Sequence, residues 1–175
     1  MKKITLILVL MLALVECGNK DTDQPDDEIP NGTSTASVTN DANELVASLS
    51  EDGNWITAIT ADVTLSAPLV VNGKFHNRND TAGDVYRKLA LHTQDDDFNV
   101  IDNFTLTVPV LEVRSENFTV FYGTIVGDVH VFADGFTLHG TKVEGNVVFE
   151  TEAQRDSADL TNEGASVVGD VTVTE

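Results

Sequence analysis

Cysteine, tryptophan and basic side chains are nearly missing from this chain. A single cysteine, Cys17, cannot close an internal disulfide, so the fold must be held by its core rather than by cross-links. Ten Lys and Arg stand against 29 Asp and Glu, for a net charge of −19. That balance excludes nucleic acid as a default partner and disfavours direct contact with anionic lipid head groups. The four histidines, His76, His92, His130 and His139, match no zinc spacing, and no serine, histidine and acid group into a triad. No catalytic residue is assigned.

The last third of the chain repeats. Residues 111–128 align on 129–146 at an offset of 18 residues, the distance from Leu111 to Val129. Val131 then falls on Val113, Phe136 on Phe118, Leu138 on Val120, Val143 on Ile125 and Gly145 on Gly127. A longer third copy, residues 147–170, restores Phe149, Leu160, Val167, Gly169 and Asp170 once six extra residues are allowed near 152–157. A fourth copy begins at Val171. A period near 20 is the mark of units that cannot bury an apolar face alone and must stack.

Within a copy the apolar residues alternate over short stretches, Leu111 with Val113 and Phe118 with Val120, followed by Ile125, which is the period of strands. Copies this short leave no room for crossover helices. The pattern therefore predicts an all-β chain, a right-handed parallel β-helix of about five coils, with Leu111, Val129, Val147 and Val171 in one inward ladder. Phe118, Phe136 and Leu160 form the next. A left-handed form also uses coils of 18, but its six-residue spacing from Val113 lands on Thr119 and Thr137, and the insertions favour the right-handed form. Outward threonines at 105, 119 and 137 would stack beside the phenylalanines. Gly127, Gly145 and Gly169, each followed by Asp or Asn, mark turns. Ahead of the strands, residues 41–51 carry Leu45, Val46 and Leu49 at helical spacing with Asp41 as cap, a lid over Trp55.

Lys2 and Lys3 precede an apolar run over residues 4–15, the charged start and short core of an export signal. Cys17 follows at once. Leu14 and Val15 fit the lipobox of bacterial lipoproteins, while Glu16 stands where a small residue is usual; an uncleaved anchor, or cleavage near Ala13, is the other reading. Residues 18–40 are polar and acidic, too poor in apolar side chains to offset their ordering entropy. The chain divides accordingly into a signal peptide (1–16), a lipidation site with a disordered acidic tether (17–40), and a capping helix with its β-helix (41–175). With Gly53, Asn54 and Trp55 after the helix, residues 41–175 resemble bacterial secreted proteins and lipoproteins of the pectate-lyase-like right-handed β-helix superfold. The resemblance implies an exported, lipid-anchored protein of the bacterial cell envelope.

The densest acidic group is Asp95, Asp96 and Asp97, followed by Asn99 and Asp102. Asp95, Asp97 and Asn99 have the alternate spacing of a calcium loop, but Val100 stands where an EF-hand needs glycine and Leu106 where it needs glutamate. These three are the only metal candidates, and no other cofactor is expected. The functional expectation is a non-catalytic surface module that binds a glycan or another envelope component, joined to the membrane through its lipid. The alternative is a carbohydrate-active, polysaccharide lyase-like enzyme, implied by the resemblance alone. Self-association is expected through residues 147–175, as an edge of unpaired strand groups.

Overall fold

The computed structural model describes residues 37–174. Cys17, the expected export signal of residues 1–16 and the expected tether up to residue 36 lie outside the described residues. Strand β1 (Ser37–Thr39) comes first, then helix α1 (Ala42–Ser48), β2 (Ile56–Ile59), β3 (Val63–Thr64) and β4 (Leu69–Val71). Past a 3₁₀ turn at Asn77–Asn79 run β5 (Arg87–Ala90), β6 (His92–Gln94) and β7 (Val100–Asn103). The repeat region holds β8 (Thr105–Val113), β9 (Phe118–Phe121), β10 (Thr124–Val131), β11 (Thr137–His139), β12 (Lys142–Glu144) and β13 (Val147–Phe149). Helix α2 (Glu152–Ser157) and strands β14 (Asp159–Asn162), β15 (Ser166–Val167) and β16 (Val171–Val173) complete it.

Three sheets result among the described residues. The first is parallel and six-stranded, in the order β1, β2, β5, β9, β11, β14. The second, also parallel, has eight strands: β8 and β10 lie side by side, β3 and β4 flank β8, β12 and β13 flank β10, and β15 and β16 follow outside them. The third is an antiparallel pair, β6 with β7.

This architecture overturns the expected right-handed parallel β-helix of about five coils. The apolar pattern predicts three separate short strands in each copy. Instead, the Ile125 and Val129 groups share one strand of eight residues, β10, whose register to β8 shifts between Val126 and Asp128. Gly127 allows the bend, with φ 137 and no room for a side chain: a Cβ there would lie 1.7 Å from the Val108 carbonyl oxygen. The two groups therefore fall in one parallel sheet. Residues 92–103 depart further by folding back as the antiparallel pair. A second correction concerns the tether, because Ser37, Val38 and Thr39 pair in parallel with Thr57, Ala58 and Ile59 of β2, so ordered structure begins before residue 41.

The core lies between the two parallel sheets. Leu111, Val129 and Val147 stand in register on β8, β10 and β13 and are fully buried; Val171 on β16 continues the register but is exposed, so it does not take the inward place expected of it. Phe118 and Phe136 stack with ring centroids 6.3 Å apart. Each such buried side chain contributes about 1.5–3 kcal/mol of transfer free energy. Leu45 and Leu49 of the α1 region close onto the same core. Asp41 starts that helix, its Oδ1 accepting from the backbone N–H groups of Asn43 at 2.8 Å and Glu44 at 3.0 Å, donors a helix start leaves open. The helix ends at Ser48 rather than residue 51, and the carbonyls of Ser48 and Ser50 accept instead from the Arg87 guanidinium, both at 2.9 Å.

Candidate functional site

Side chains alternate across a strand, so the residues flanking inward Leu89, Val120 and Leu138 reach the outer face of the first sheet. Pairing there sets Ile56 beside Lys88, Lys88 beside Thr119 and Thr119 beside Thr137. A second column runs Ala58, Ala90, Phe121, His139. Ala58, Ala90 and Phe121 form a small apolar cluster of their own, with Tyr86 and Tyr122 packed against it.

Rings gather on this cluster in two groups, bridged by Lys88. Tyr86 lies 6.5 Å from Trp55, and Lys88 Nζ sits 6.0 Å from the Trp55 ring centroid and 4.9 Å from that of Phe121. Phe121 is 4.7 Å from His139, which meets Tyr122 edge-on at 5.2 Å, and Tyr122 meets His92 edge-on at 4.6 Å. His92 Nδ1 also lies 3.3 Å from the Phe121 carbonyl oxygen. Gly140, at φ 62, presses on Tyr122 so closely that a Cβ would lie 2.6 Å from the ring. Trp55, Lys88, His92 and Phe121 are buried and make the base, while Tyr86, Tyr122 and His139 are partly exposed. The patch holds the chain's single tryptophan and both of its tyrosines. Such rings offer flat apolar faces, and their hydroxyl and imidazole edges offer hydrogen bonds, the combination that fixes and orients a polyhydroxylated ligand.

Four other basic residues are engaged locally. Arg87 is fully buried: Nε donates to the Asn54 carbonyl at 3.0 Å, Nη1 to Ser115 Oγ at 3.2 Å and to the Asn72 carbonyl, and the Phe75 ring lies 4.0 Å from the guanidinium. Burial draws its pKa down to about 10, so it remains a cation at neutral pH. Arg114 pairs with Glu112, Lys142 with Glu144 and Arg155 with Glu152.

The calcium candidates Asp95, Asp97 and Asn99 lie together in the turn between β6 and β7. Asp95 Oδ1 accepts from the backbone N–H of Asp97 at 3.0 Å and of Asn99 at 2.9 Å, and Asn99 Nδ2 donates to both carboxylate oxygens. These bonds hold the Asp95 carboxyl below the usual aspartate range, the Asn99 side chain contributing most. Among the described residues no group of three or more His, Cys, Asp or Glu side chains is placed to hold a metal. No described helix is long and apolar enough to cross a membrane.

Sequence reasoning missed Tyr86, Lys88, Phe121 and Tyr122 and treated His92 and His139 as isolated. One signal was present: the offset that superposes the copies also lays His139 on Phe121. The expected threonine row divides, with Thr119 beside Thr137 in the first sheet and Thr105 beside Thr124 in the second. No protein-family model, no curated protein and no solved structure matches the chain.

Proposed function

We propose that this protein is a non-catalytic lipoprotein of the bacterial cell envelope whose folded part binds a glycan. The observation that carries the reading is the gathering of Trp55, Tyr86, Phe121, Tyr122, His92 and His139 on one face, with Tyr86, Tyr122 and His139 partly open to solvent. A buried base fixes the rings in advance, so a sugar docking on them meets little further ordering cost. The engagement of Arg87, Arg114, Lys142 and Arg155 by carbonyls or nearby carboxylates supports the non-catalytic reading over a lyase.

A glycan array probed with the full chain tests this. One class of glycan is expected to bind, and Tyr86→Ala and Tyr122→Ala to weaken it by about tenfold or more with the protein still folded. A blank array, or affinity indifferent to both substitutions, would overturn the reading. The anchor is tested separately, since Cys17→Ser is expected to move the protein out of the membrane fraction and abolish palmitate labelling. Labelling that persists in this variant would remove Cys17 as the lipid site.

A further inference from the structure

The antiparallel pair of β6 and β7 belongs to neither parallel sheet, and it carries apolar side chains in water. Phe98 is 52 % exposed and Ile101 60 %, the only exposed phenylalanine and isoleucine among the described residues. Phe98 also sits at φ 63, a left-handed backbone conformation that is unfavourable for a bulky side chain. The turn holds it there through Asp95: the Phe98 N–H donates to the Asp95 carbonyl and the Asp95 N–H to the Asn99 carbonyl, both at 3.0 Å, around the carboxylate bonds already described. Glycine or asparagine would occupy that position without strain. The turn thus keeps an aromatic ring exposed at a site where a smaller residue would fold more easily, a combination that points to use.

Charge narrows what such a tip can meet. Residues 93–103 contain Asp95, Asp96, Asp97 and Asp102 and no Lys or Arg. An anionic bilayer is repelled by that sign, and so is a second copy of a chain of net charge −19. An apolar pocket bordered by Lys and Arg is complementary to it. We propose that the β6–β7 hairpin is a docking finger for a basic partner protein, with Phe98 and Ile101 entering an apolar pocket while Asp96, Asp97 and Asp102 face its cationic rim. The hairpin begins at His92, which belongs to the ring-bearing patch, but Phe98, Ile101 and the tip aspartates take part in none of its ring contacts, and the proposal does not depend on glycan binding.

The test titrates the full chain with a synthetic amphipathic helix of leucines bordered by lysines, and with a counterpart carrying glutamates in place of the lysines. The lysine helix is expected to bind and the glutamate helix not to. Phe98→Gly should weaken binding by about tenfold, while its thermal unfolding is unchanged or raised because glycine suits positive φ. Asp96→Asn with Asp97→Asn should also weaken it and flatten its salt dependence. Glu152→Gln with Asp156→Asn, on α2, should leave affinity as it was. Equal losses from the hairpin and α2 variants would reveal a general attraction to an acidic chain and overturn the proposal. Binding to phosphatidylglycerol vesicles that depends on Phe98 would overturn it too, by assigning the tip to a membrane.

Discussion

Past the register shift in β8, a strand up to β13 finds its neighbour 18 residues further on, as Thr119 finds Thr137 and Val129 finds Val147. From β1 to β5 the partners are irregular: Ser37 pairs Thr57, Ile56 pairs Lys88 and Leu69 pairs Leu111. Both regions extend the same parallel sheets, yet they are held differently. In the repeat region identical apolar positions stack, and a column of glycines lets backbones approach: a Cβ on Gly145 would lie 2.1 Å from the Gly127 carbonyl oxygen. In the earlier region, loops of unequal length leave carbonyls pointing inward, and Arg87 gathers those of Ser48, Ser50, Asn54 and Asn72 onto one guanidinium. Where the period lapses, one polar side chain takes over the work of a ladder.

Three measurements sharpen that contrast. The largest effect is expected in the repeat region, where Phe136→Ala removes a fully buried stacked ring and should cost about 3–5 kcal/mol in chemical denaturation. Thr137→Ala, beside it on the opposite face, should cost about 0.5 kcal/mol or less; equal costs would mean the faces are misassigned. In the earlier region Arg87→Lys should cost about 1–3 kcal/mol, because an ammonium lacks the planar fork that reaches several carbonyls and leaves some of them buried without donors. Stability unaltered by that exchange would make the charge alone sufficient. The smallest effect belongs to the hairpin. Asp95 has its carboxyl pKa lowered in the folded state, so its contribution is complete above the unfolded value near about 4 and is lost as pH falls through the lower folded value. Amide exchange at Asp97 and Asn99 should therefore lose protection in acid before the strands of the repeat region do, and simultaneous loss would tie the turn to the global fold.

The same division explains what could be read from the residues alone. Val129 over Leu111 and Phe136 over Phe118 were legible because apolar alternation and the repeat offset both report on neighbours in a sheet. The number of sheets was not, because the pattern cannot distinguish a strand that ends at Gly127 from one that bends through it. The role of the glycines was only half visible: Gly127 takes positive φ as turn chemistry suggests, while Gly145 and Gly169 serve close backbone approach. Tyr86, Lys88 and Tyr122 escaped notice because each occurs once at its place, at or beside a strand end, and periodicity says nothing about single occurrences. Arg87 escaped for the same reason. Asp95 was legible as an acid in a loop, whereas the hydrogen bonds that its carboxylate accepts from Asp97 and Asn99 were not.

Helix α2 interrupts the repeat, and the strand that follows it, β14, pairs β11 with one register shift between Thr137 and His139. Thr151 and Gln154 bond reciprocally at its start, none of its side chains is buried, and beyond it Val171 still pairs Val147 while Asp159 still pairs Thr137. Register on both sides is fixed by the sheets, so the length of chain spent at this corner is immaterial to the core. The corner is in effect an open port in the scaffold. A longer loop or a guest domain with close-set ends is expected to be tolerated in place of residues 152–156, which leaves Ser157 to accept from the Gly135 N–H.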